Sequence, residues 1–116
     1  VSRRDDERLE DILASAAAIV RHLQRGGLDD GLVFDAVRVR LIEIGEAVKD
    51  VDPGLLANEP DVPWIDVAGM RDHLAHRYFD TAYSILEATV AEDLPPLVAA
   101  TARLLARLQA VADPEA

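Results

Sequence analysis

The stretch GLVFDAVRVRLIEIGEAVKD, residues 31–50, sets Val37, Leu41, Ile44 and Val48 at steps of three and four. That spacing lays one apolar stripe along an α-helix and fits no strand. The next residues, Asp52-Pro53-Gly54, are turn chemistry and end the helix. Working outward, Leu9, Ile12, Leu13, Ala16, Val20 and Leu23 give an earlier helix with the same period, stopped by Gly26-Gly27. Residues 55–63 carry two prolines and read as a loop. A third helix is predicted from about Trp64 to Phe79. Asp80-Thr81 then reads as a break and N-cap before a short helix over Tyr83 to Ala91. Asp93 caps a last helix that tolerates Pro95 and Pro96 in its first turn. Its stripe is Leu94, Leu97, Val98, Thr101, Leu104, Leu105 and Leu108. No strand pattern, glycine-rich phosphate loop or repeat interrupts this series. The expected fold class is all-α, an antiparallel bundle of four or five helices in one domain spanning residues 1–116, with an ordered core over about 5–110.

Composition narrows the function. The 116 residues are enough for a hydrophobic core. Cysteine is absent, which excludes disulfides, thiolate metal sites and a cysteine nucleophile and fits a reducing cytoplasm. No apolar run reaches membrane-spanning length, and the charged start, VSRRDDER, reads as the entry to an amphipathic helix and not as a signal peptide. Twenty-two acidic against twelve basic residues give a net charge of −10. Such a balance opposes general nucleic-acid affinity, so any RNA contact has to be locally basic. The mean hydropathy, +0.05, is high for a small domain and points to apolar surface covered by a second copy or a partner.

One segment stands apart: GMRDHLAHRYF, residues 69–79. Between Arg71 and Tyr78 it holds two arginines, a tyrosine and two of the three histidines. On a helix turning about 100° per residue, Trp64, Val67, Ala68, Leu74, Ala75 and Tyr78 share a stripe, and Arg71 falls near its centre. A guanidinium there is costly unless it is paired or meets an anion. Asp72 stands four residues before His76 and can orient its imidazole. The bland alternatives are that Arg71 pairs with Glu43 or Glu46 and that His76 is a solvated helix residue. A metal site on His73 and His76 would need facing carboxylate-rich helices, for which the sequence shows no Glu-x-x-His pair. His22 reads as a surface residue.

Arg71, His76 and Tyr78, in the pattern R-x4-H-x-Y, resemble the motif of the HepT-type toxins of the HEPN superfamily. Ile44-Gly45-Glu46-Ala47, the run from Pro63-Trp64 to Gly69-Met70-Arg71, and Asp93-Leu94-Pro95-Pro96-Leu97 resemble family sequence in the same order, so the likeness covers roughly residues 5–110. Asp72 stands where the family often has asparagine, and Arg77 where many members have glycine.

The resemblance implies the toxin of a type VII toxin–antitoxin system, cleaving RNA without a metal or other cofactor. Arg71 and His76 would be catalytic, with Asp72 and Arg77 in support. The implied partners are RNA (tRNA among the candidates), a second copy of the chain and a minimal nucleotidyltransferase antitoxin that transfers AMP to Tyr78. No DNA or membrane partner and a cytoplasmic location are expected. Arg71 and His76 lie about 140° apart on one helix, which favours a site composed across a homodimer. The alternative reading is a non-catalytic helical dimerisation module that only engages a nucleotidyltransferase.

Overall fold

The computed structural model describes residues 3–75 and 79–112; of residues 3, 71, 75, 79–82 and 112 it describes the backbone alone. The described residues are mostly helical, with no strand among them, in agreement with the all-α expectation. Helix α1 spans Arg3–Arg25 and α2 spans Gly31–Asp50. Asp30 caps α2, its carboxylate accepting from the amides of Leu32 and Val33. Contacts between Arg8 and Asp50, Ser15 and Glu43, and His22 and Arg40 run in opposite senses along the two helices, so the pair is antiparallel.

Val37, Leu41, Ile44 and Val48 are all buried, as the period of α2 requires. In α1 the buried row is Leu9, Ile12, Ala16 and Ile19, whereas Val20 is 54% exposed. Val20 lies about 100° from Ile19 and so on the flank of the seam. His22 is half-buried and not a free surface residue: its Nε2 accepts from Arg40 Nε at 3.4 Å.

The sequence-predicted loop after α2 contains a single helical turn, α3, Pro53–Leu56, capped by the Asp52 carboxylate. Leu55 and Leu56 enter the core from it. The third helix is not continuous. It divides into α4, Trp64–Ala68, and α5, Met70–Ala75, with Gly69 between them at φ −79° and ψ −7°. Glycine is a poor helix continuer, and its amide still closes the end of α4 on the Ile65 carbonyl.

Beyond residue 78, the expected break at Asp80-Thr81 is absent. Helix α6 starts at Phe79 and runs through both residues to Ala88. Nor does Asp93 cap a new helix: a π-helical turn, Thr89–Asp93, joins α6 to α7, Leu94–Ala112, without leaving helical backbone. The reason lies in Pro95 and Pro96. Neither can donate to the carbonyl four residues back, and a proline ring crowds that carbonyl. The backbone widens one turn earlier, where the Leu94 amide reaches the Thr89 carbonyl.

Leu94, Leu97, Thr101, Leu104 and Leu108 are buried along α7, and Val98 and Leu105 are half-buried. Thr101 is fully buried, its hydroxyl donating to the Leu97 carbonyl at 2.8 Å. Helix α7 packs on α1, while α4, α5 and α6 pack on α2. Arg71, Asp72 and His73 therefore ride on α5, which packs on α2.

Candidate functional site

Tertiary contacts place α5. The Leu74 side chain is fully buried. Its carbonyl accepts from Arg38 Nε on α2 at 3.1 Å. Below α5, α4 is held by buried Val67 and by Trp64, whose indole N–H donates to the Glu59 carbonyl at 2.9 Å.

Arg71 lies on α5, with its side chain outside the described residues. His76, Arg77 and Tyr78 lie outside them altogether. Asp72 is exposed in the first turn of α5. The division at Gly69 changes the geometry from which Arg71 was singled out. Trp64, Val67 and Ala68 belong to α4, and Leu74 to α5, so a single helical projection does not relate the two sets. One of the carboxylates considered as a partner for Arg71 is engaged elsewhere: Glu43 accepts from Ser15 Oγ at 3.1 Å and lies 3.3 Å from Arg40 Nη1. Among the described residues no group of three or more His, Asp or Glu side chains is placed to hold a metal.

A cavity of about 540 Å³ opens beside α5, floored by apolar side chains including Ile44, Val67 and Met70 and bordered by the π-helical turn. His73 and the carboxylates of Asp61, Asp66 and Asp93 also line it. From the sequence His73 enters only as half of a metal pair with His76, which lacks its facing carboxylates. Its place on this wall becomes visible only when α4, α5 and the turn before α7 come together. Arg38 was likewise missed, since its contact lies 36 residues away along the chain. Tyr83, on α6, is half-buried and stacks on Phe34 of α2, with ring centroids 6.2 Å apart and planes 3° from parallel.

Comparison with known proteins bears on the whole of this arrangement. The family described as "Ribonuclease HepT-like" matches residues 9–104. A protein of Caldanaerobacter subterraneus bearing an RNase name is 34% identical over 77% of this chain and 83% of its own length. A Thermococcus cleftensis protein, "Probable ribonuclease HepT", is 33% identical over 84% of this chain and 92% of its own. An RNase-named protein of Methanocaldococcus jannaschii is 31% identical over 84% and 94% respectively. No solved structure matches the chain. No helix among the described residues is long and apolar enough to cross a membrane. The family match runs from α1 into α7 and includes the segment from Arg71 to Tyr78, and on that ground the chain belongs to the HepT-like ribonuclease family of HEPN proteins.

Proposed function

We propose that this chain is a metal-independent endoribonuclease, the toxin of a type VII toxin–antitoxin pair, with Arg71 and His76 as its catalytic residues. The observation that carries the reading is the family match over residues 9–104, which spans both positions. RNA supplies its own nucleophile. The 2′-hydroxyl attacks the adjacent phosphorus, its proton passes to a base, and the 5′-oxygen leaves with a proton. His76 has the side-chain type for proton transfer near neutral pH. Arg71 can grip the phosphate through two parallel hydrogen bonds and offset the charge that builds in the transition state. Asp72 orients the imidazole, and Arg77 adds positive charge in a chain of net charge −10.

Among the described residues lining the cavity beside α5, Asp61, Asp66 and Asp93 disfavour phosphate, which supports assigning the RNA backbone to the arginine-bearing segment. Two copies of the chain would pair two such segments and double the local positive charge. Leu32 and Ile65, 84% and 88% exposed, are apolar surface that a second copy can cover. The antitoxin, a minimal nucleotidyltransferase, transfers AMP from ATP to the Tyr78 hydroxyl and releases pyrophosphate. The added phosphate then competes with RNA for Arg71 and Arg77. Of the two tyrosines, Tyr83 already has its ring packed against Phe34, which supports Tyr78 as the acceptor.

The test is product analysis after incubation of purified protein with RNA in EDTA. Fragments ending in a 2′,3′-cyclic phosphate and a 5′-hydroxyl are expected. Cleavage that needs added magnesium or zinc would contradict the metal-free route.

A further inference from the structure

We propose that Arg38 is a positioning residue for the RNA-cleaving site, acting through the carbonyl of Leu74. The inference rests on the reading of α5 as the helix that carries part of that site. Arg38 stands on α2, half-buried, and donates Nε–H to the Leu74 carbonyl at 3.1 Å. Leu74 falls three residues after Arg71 and two before His76, so the anchored peptide group lies between the two catalytic positions.

Two features set this contact apart. Gly69 separates α5 from α4, so the direction of α5 is not inherited from one unbroken helix running from Trp64 and depends on what α5 touches. Arg38 also makes an unusual choice in so acidic a chain. Arg8, Arg40 and Arg103 each meet a carboxylate, at 3.6, 3.3 and 2.6 Å. Among the described residues Arg38 pairs with no carboxylate and is spent on a backbone oxygen instead. A charged donor holds a carbonyl more tightly than a neutral one would. Together with the buried Leu74 side chain, it gives α5 two anchors at one residue, one in the core and one on α2.

The consequence is kinetic more than thermodynamic. Displacing reacting groups by about 1 Å can cost up to roughly a hundredfold in rate. Substrate binding along the rest of the surface would be left nearly intact.

The experiment compares Arg38→Met and Arg38→Lys with the wild-type chain by steady-state RNA cleavage and by amide hydrogen exchange. For Arg38→Met we expect kcat to fall by about tenfold or more with KM within about twofold. Exchange should quicken in residues 70–75 while α1 and α7 keep their protection. Arg38→Lys, which retains a charged donor, should recover part of kcat and part of the protection. A purely structural role would lower the melting temperature and leave kcat per folded molecule unchanged, which overturns the proposal. A rise in KM at constant kcat would make Arg38 a substrate contact and also overturn it. Exchange does not depend on catalysis. If the wild-type chain cleaves no RNA, the functional reading fails by itself, and unchanged exchange over residues 70–75 would separately refute the tether.

Discussion

Glu59 and Arg103 meet across 44 residues of chain, with Arg103 Nη2 at 2.6 Å and Nε at 3.0 Å from the same Glu59 oxygen. The pair ties α7 to the segment before α4, and the Glu59 carbonyl holds Trp64 from the other side. Arg103's hydrogen bond, opposed in part by burial, keeps the Glu59 carboxyl below its ordinary 4.5. A carboxyl with a lowered folded pKa contributes stability above its unfolded value and loses it as pH falls through the folded value. Glu59→Gln should therefore lower the melting temperature at neutral pH. It should also flatten the acid limb of the profile below about pH 4.5. Melting curves from about pH 3 to pH 7 test this; a variant whose profile parallels the wild type would show that the pair is not felt.

Gly31 opens α2 just after its Asp30 cap, has no positive φ, and a Cβ there would meet nothing within 4 Å. Its conformational freedom helps only the unfolded chain. Gly31→Ala should raise stability by about 0.4–1 kcal/mol, measured as a higher denaturant midpoint at unchanged slope. A lower midpoint would mean that the start of α2 is strained.

The long helices were legible because α1, α2 and α7 each repeat a 3.6-residue pattern over five turns or more, and burial of Val37, Leu41, Ile44, Val48 and Leu104 follows from it. The middle of the chain was not. A short helix gives too few repeats to set a phase, which is how α4 and α5 merged across Gly69 and how Val67 and Leu74 came to share one projection. Asp80-Thr81 carries the residue types of a cap, and Asp93 precedes two prolines, yet helical backbone continues through both. Residue types that favour a cap do not end a helix when the backbone on both sides can stay helical, and at Asp93 a widened turn ahead of the prolines takes the place of a break. The segment from Arg71 to Tyr78 was singled out by its concentration of basic and aromatic side chains. The hydrogen bond from Arg38 to Leu74 joins two elements far apart in sequence and leaves no local pattern to read.

A homodimer is expected at micromolar concentration, because the chain is apolar for its size and Leu32 and Ile65 are exposed. Light scattering should give twice the 12.6 kDa chain mass. A monomer with full cleavage activity would sink the composite site.

Tyr78→Phe should retain RNA cleavage and escape silencing by the nucleotidyltransferase with ATP. Mass spectrometry should place AMP, about 329 Da of added mass, on Tyr78 in the wild-type chain. AMP found on Tyr83 would move the modification to the ring stacked on Phe34.

The central claim is that Arg71 and His76 cleave RNA, and single-turnover cleavage by Arg71→Ala and His76→Ala tests it most directly. Each variant should lose at least about a hundredfold in rate, in EDTA, while circular dichroism and the melting transition stay those of a folded helical protein. Full cleavage by both folded variants would contradict the account and place the activity elsewhere.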